Sequence, residues 1–215
     1  MKERTQGFVN AFFERHPDLV CIRKDILKAA DLWTYVLSNG GKILLCGNGG
    51  SCADCDHIVG ELMKGFLKKR PMNDERKRAM LDACAELDED LLSKLQCGLP
   101  AISLPSITAL GSAFNNDVDP ELTYAQAAFA LGKSGDVFVG LSTSGNAKNV
   151  FAAAKVAKAM GMTVISFTGM GGGKLATVAD VAIKVPETET YKIQELHLPV
   201  YHTICADVEE YFFSE

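Results

Sequence analysis

The 215-residue chain has no apolar run near the ~18 residues that a membrane-spanning helix requires, which predicts no membrane partner. It also lacks a basic excess. Against 22 Lys and Arg stand 27 Asp and Glu, a net charge of −5, which argues against a broad surface for nucleic-acid phosphates. A secretion core is missing too: Lys2-Glu3-Arg4-Thr5 follows Met1, and charges recur through Arg15. Paired cysteines are absent. The seven present are an odd count at irregular spacing, which suits reduced thiols and a cytoplasmic protein. What remains is the balance of an ordinary globular chain, 47% hydrophobic and 23% charged. A single domain of this length (1–215) buries about 70% of its unfolded surface, so it needs neither disulfide nor metal merely to fold.

Through the first forty positions apolar residues recur at three- and four-residue spacing: Phe8, Phe12, Phe13, then Ile22, Ile26, Ala29, Ala30, Trp33 and Val36. This predicts N-terminal helices over 1–40, broken at Pro17 and ended by Gly40-Gly41, whose stripe packs on the domain or on another subunit. Beyond residue 41, short apolar runs alternate with helical segments. Strands are predicted at 42–46, 101–104, 136–141, 163–167 and 181–185, with a closing helix over 189–213. Strands buried on both faces and joined by helices predict an α/β fold, a three-layer αβα sandwich around a five-stranded parallel sheet. Residues 68–98 break the alternation and read as a helical insertion. Its basic residues Lys68, Lys69, Arg70, Arg76, Lys77 and Arg78 are interleaved with nearby acidic ones, the pattern of a solvated face.

Two loops carry most of the chemistry. Gly47-Asn48-Gly49-Gly50-Ser51 follows the first strand, and Ser142-Thr143-Ser144-Gly145-Asn146 follows the third; each opens a helix. A helix N-terminus presents unpaired N–H groups and about half a positive charge. Serine and threonine hydroxyls add donors without charge, and glycine lets the backbone come close, so the pair is suited to a phosphate monoester. Standard nucleotide motifs do not fit. The first loop lacks the glycine spacing of the dinucleotide fingerprint, and Thr168 and Leu175 stand where a P-loop around Gly173-Lys174 needs Gly and Ser or Thr. That third glycine stretch reads as a flexible turn.

His57 and Glu61 lie four apart in the helix opened by Ser51 and share a face. Gln194, His197 and His202 are read as one face of the closing helix, with Glu195 turned away and Pro199 a possible kink site. A His with a Glu one turn away suits metal binding, a division of acid and base work, or a structural hydrogen bond. His16, beside Pro17, has no assigned role. Cys52-x-x-Cys55 admits a redox pair, but small apolar packing residues account for it more simply.

Four ordered motifs, G-N-G-G-S-x-x-D-x-x-H-I-x-x-E-L (47–62), N-D (116–117), S-T-S-G-N (142–146) and I-Q-E-x-H-x-x-x-x-H (193–202), closely resemble the phosphoheptose isomerases. The resemblance implies a flavodoxin-like sugar isomerase (SIS) domain that converts sedoheptulose 7-phosphate to D-glycero-D-manno-heptose 7-phosphate through an enediol. It implies Glu61 as base and His202 as acid, and zinc held by His57, Glu61, Gln194 and His202. It further implies that Ser51, Ser142, Thr143 and Ser144 hold phosphate, with Gly49 and Gly50 in the same loop, and that Asn48 and Asp117 touch sugar hydroxyls or order the site. A homotetramer is implied as well. Ala147 departs from the pattern, because many members carry a further phosphate-binding serine there. The alternative is a non-catalytic SIS-domain regulator or adaptor binding a sugar phosphate or a replication initiator; that branch tends to lack the second histidine of the closing helix, which His202 supplies here. Amino-sugar phosphate isomerases and ether lyases share the Ser-Thr loop but usually lack the H-I-x-x-E-L and I-Q-E-x-H pair.

Overall fold

The computed structural model describes residues 3–214, with side chains from residue 7. Five parallel strands form the sheet: β1 (Ile43–Gly47), β2 (Ala101–Ser103), β3 (Val137–Leu141), β4 (Thr163–Gly169) and β5 (Val181–Val185), in the order β2-β1-β3-β4-β5. All five predicted strands are present. β1 and β3 are buried at every position, and successive side chains enter opposite cores, as the two-residue period of a strand requires. Ile43 and Leu45 join one cluster, and Leu44 and Cys46 the other.

The first cluster is closed by α1 (Glu3–Arg15), α2 (Arg23–Ser38), α3 (Gly50–Met63) and α10 (Thr190–Phe213). The second is closed by α7 (Thr123–Leu131), α8 (Lys148–Ala159) and α9 (Gly173–Ala176), with α6 (Thr108–Asp117) packed on α7. The break at Pro17 is a 3-10 turn, Pro17–Ile22. Phe12, Ile26, Trp33 and Val36 of the N-terminal stripe are buried within this one chain, while Phe8 is only half-buried and lines a cavity beside His202. No helix among the described residues is long and apolar enough to cross a membrane.

Between α3 and β2, residues 68–98 hold two short helices, α4 (Asp74–Ala83) and α5 (Glu89–Lys94). Asn73 and Asp88 cap them, accepting from the amides of Arg76 and Leu91. The segment is helical as expected, but it contributes little core: α4 buries nothing, and Leu91 and Leu95 are exposed.

One member of its basic run contradicts the solvated reading. Arg70 is buried, its Nε donating to Glu209 of α10 at 2.8 Å. Its other nitrogens donate to the carbonyls of Leu62 (2.6 Å) and Glu61 (3.0 Å), the last turn of α3, and its guanidinium stacks over Phe213. Glu209 also accepts from the amides of Phe66, Leu67 and Lys68 at 2.7–3.1 Å. Two buried charges thus satisfy the frayed end of α3 and the turn that follows it. Glu209→Ala strands the Arg70 charge and three amides, and is expected to lower stability by about 3–5 kcal/mol in urea unfolding; a loss under about 1 kcal/mol is the result that refutes the clamp.

Candidate active site

The register Cys46↔Gly140, Gly47↔Leu141 sets the carboxyl ends of β1 and β3 level, so the two Ser-Gly loops leave the sheet side by side. Here the strand order reverses direction, the usual ligand crevice of such sheets. A cavity of about 400 Å³ opens between them, lined by Asn48, Gly49, Gly50, Ser51, Leu141, Ser142, Thr143, Ser144, Ala147, Thr190 and Gln194. Eight of these are expected site residues. Thr190, at the start of α10, and Leu141 were not singled out from the sequence.

Two glycines shape this cavity. A Cβ at Gly50 would lie 2.6 Å from Gln194 Nε2, so the glycine leaves room for the Gln194 side chain to lie over the first loop, and a larger residue would make that side chain turn aside. Gly145 has φ +65°, and a Cβ there would meet Gly172 O at 2.1 Å. The third glycine stretch is therefore packed rather than free: Leu175 N donates to Gly145 O, Lys174 N to Asn146 Oδ1, and Gly169 N to Thr143 O. α8 begins with Ala147 as its cap and no side-chain hydrogen bond. The Asn48 side chain is engaged twice over with Asn149, at 2.9 and 3.0 Å, and receives Tyr124 Oη at 3.2 Å. That makes it an organiser of the loop. Asp117 stands exposed at the end of α6, beside Asn116 Nδ2 at 2.8 Å, and does not line the cavity.

Further along α3 and α10 lies the second constellation. His57 Nε2 is 3.2 Å from Glu61 Oε1 and 3.3 Å from His202 Nε2, and ligand atoms of the three lie within 4.8 Å of one another. Glu61 Oε2 is buried without a hydrogen-bond partner, with Lys64 Nζ 3.7 Å away. Phe66 shields His202, ring centroids 5.4 Å apart. Burial first, then the His57 ring, hold the His202 imidazole below its ordinary pKa, with Glu61 pulling the other way. Two imidazoles and a carboxylate converging beside an orphaned oxygen suit a metal ion. Gln194 lines the cavity between the two Ser-Gly loops instead. A second cavity of about 490 Å³ opens on the far side of His202, bordered by Arg15, His16, Phe66 and Glu195. His16, given no role from the sequence, thus borders the site.

His197 does not share this face. Five residues at 100° each set His202 about 140° away from it around the helix. It is buried, edge-on to Phe167, its Nε2 3.3 Å from Thr168 O, and burial depresses its pKa to about 4. It is a neutral core residue. Pro199 lies inside an unbroken α10. Burial raises the pKa of Cys52 and Cys55, the reverse of what a redox pair needs.

Comparison with known proteins agrees with this geometry. The SIS domain profile matches residues 21–91 and 91–169. The phosphoheptose isomerase of Burkholderia pseudomallei is 38% identical over 190 residues, covering 88% of this chain and 83% of that one. That of Aneurinibacillus thermoaerophilus is 39% identical over 178 residues, 83% of this chain and 77% of its own. The solved phosphoheptose isomerase of Neisseria gonorrhoeae superposes with a TM-score of 0.73 at 32% identity, covering 97% of this chain and 98% of the other. Strand order, loop positions and the His57–Glu61–His202 cluster, taken with these identities over most of the length, place the chain in the SIS-domain family, among the phosphoheptose isomerases.

Proposed function

We propose that the protein is an aldose–ketose isomerase that interconverts sedoheptulose 7-phosphate and D-glycero-D-manno-heptose 7-phosphate. The observation that carries this reading is the pairing of a hydroxyl-rich cavity at two strand ends with a carboxylate–imidazole cluster one to three turns further along the same helices. Ser51, Ser142, Thr143 and Ser144 receive the phosphate, aided by the N-termini of α3 and α8. Gln194, leaning over Gly50, faces the sugar end of that cavity.

Isomerisation moves a proton between adjacent carbons through an enediol, which needs a base at carbon and a donor at oxygen. Glu61 takes the carbon-bound proton from one carbon and returns it to its neighbour. His202 protonates and deprotonates the oxygens. Its depressed pKa keeps the imidazole neutral near pH 7, with one N–H to give. Phe66 limits water around it. His57, Glu61 and His202, with Gln194 as a candidate fourth ligand, would hold zinc, which when bound polarises the substrate carbonyl. Glu61 Oε1 lies 3.2 Å from His57 Nε2, so this oxygen would be the one offered to a metal held with His57 and His202.

Homotetrameric assembly belongs to the same proposal. Met63 and Leu67, 54% and 59% exposed at the end of α3 and just beyond it, are apolar surface beside the site for a neighbour to cover. Sedimentation equilibrium should return four times the chain mass; an active monomer would refute it.

The site yields three kinetic expectations. Incubation with sedoheptulose 7-phosphate should consume the ketose, a chelator should stop it and zinc restore it. Under the same assay Glu61→Gln should lose about 10²–10⁴-fold in kcat, and near-wild-type turnover would remove Glu61 as base. Ala147→Ser places a hydroxyl at the cap of α8 inside the phosphate cavity. A bond to a charged group contributes about 1.5–3 kcal/mol, so KM should fall about tenfold with kcat unchanged; an unchanged KM would show that phosphate does not sit there.

A further inference from the structure

Asp54, His57 and Glu61 occupy positions i, i+3 and i+7 of α3 and so form one stripe. The roles above use the second and third and leave Asp54, although it stands in the same motif. Between Asp54 and His57 sits the hydroxyl of Tyr201, the residue before His202. It donates to Asp54 Oδ1 at 3.1 Å and lies 3.0 Å from His57 Nδ1. Tyr201 is fully buried, which leaves water little access to replace either contact.

A phenol has one proton to give. An ionised carboxylate only accepts, so that proton belongs to Asp54, and the phenol oxygen must accept from His57 Nδ1–H. A neutral imidazole carries a single N–H, so His57 Nε2 is then a bare lone pair. This lone pair faces Glu61 Oε1 at 3.2 Å and His202 Nε2 at 3.3 Å; an N–H on His202 would satisfy His57 alone, whereas a cation among the three satisfies the carboxylate oxygen as well. Asp54 Oδ2 is itself buried and unpartnered. A carboxylate that leaves one oxygen bare in the interior is costly as structural glue, which leaves the orientation of its neighbours as what it supports.

We infer that Asp54 and Tyr201 are positioning residues, a relay that holds His57 as the Nδ1–H tautomer so that Nε2 is free to ligate the metal beside Glu61 and His202. The inference rests on the metal reading proposed above. The metal-ligating histidines of proteins generally depend on such outer partners, whose loss weakens binding by about 10–100-fold. Here the partner is a tyrosine that arrives from a different helix, so the tautomer of α3 is set by the placement of α10.

The test uses the full-length protein, zinc alone as the probe, and two variants. Tyr201→Phe removes both bonds and keeps the ring. Asp54→Ala leaves the phenol proton no partner but His57 Nδ1, which forces the proton onto Nε2. Zinc affinity, measured by competition with a chromophoric chelator, should fall about 10–100-fold in each. Long-range 1H–15N spectra of the metal-free protein should show His57 protonated at Nδ1 in the parent and shifted toward Nε2–H in both variants. A merely structural bond would lower the melting temperature and leave the tautomer where it was. Zinc affinity within about twofold of the parent in both variants, or a parent His57 already protonated at Nε2, would overturn the relay. The metal reading fails separately: His202→Ala binding zinc as tightly as the parent would sink it, while the spectra still score the relay without any metal present.

Discussion

The site depends on one seam, the contact between α3 and α10. The two helices run side by side in the same direction: Gly50 meets Gln194, Asp54 meets Tyr201, His57 meets His202, and the turn after α3 meets Glu209. Each end of the seam is fixed by a different physical device. At the top, the missing side chain of Gly50 leaves room for the Gln194 amide, which a Cβ would displace. At the bottom, buried charge sets it, because Glu209 and Arg70 find their hydrogen bonds only when α10 lies against the end of α3. The His57–Glu61–His202 cluster sits between these two contacts. Groups that must hold their geometry to within a fraction of an ångström are thereby placed on two helices clamped at both ends, rather than on loops.

On the proposed reading, a chain of net charge −5 binds an anion through the placement of its donors. The hydroxyl-rich cavity recruits no lysine or arginine among its lining residues. Donors come instead from Ser51, Ser142, Thr143 and Ser144 and from two helix N-termini brought level by the β1–β3 register. Such dipoles act within about one helical turn and leave the far field unchanged. On that reading the site selects an anion by geometry once it has arrived, and does not gather anions from a distance as a basic surface would. Packing the third glycine stretch against Gly145 and Asn146 stiffens the loop that does this.

The sheet and the two loops were legible because they rest on local signals. Strands buried on both faces read as unbroken apolar runs, and Gly-Ser clusters at their ends announce the turns. The His57–Glu61 pair was legible for the same reason, since four residues is one helical turn. What escaped depends on contacts between segments far apart in sequence. Arg70 sits in a run of lysines that looks solvated, and only Glu209, 139 positions away, makes it a core residue. His197 and His202 look equivalent as letters, yet the turn of the helix sends one into the core and the other into the site. Asp54 stood in plain view within a quoted motif, but its meaning needs Tyr201, 147 residues later. Asp117 is the converse case: its motif points to the site, while its position at the end of α6 leaves it outside the cavity.

One tension inherent in the chemistry is eased by the same seam. A carboxylate that ligates a metal with both oxygens is a weak base, and a free carboxylate is no ligand. Glu61 is held so that its two oxygens differ: Oε1 lies against the His57 ring, while Oε2 is buried without a hydrogen-bond partner. Oε2 is thereby left without any hydrogen bond tying it to the rest of the protein. Arg70 fixes the backbone that sets this asymmetry, bonding the carbonyls of Glu61 and Leu62 rather than the carboxylate. Were the guanidinium to reach the carboxylate itself, it would neutralise the group that the proposed mechanism uses as base. By spending its donors on the helix end and on Glu209, the buried arginine supplies rigidity to Glu61 without quenching it.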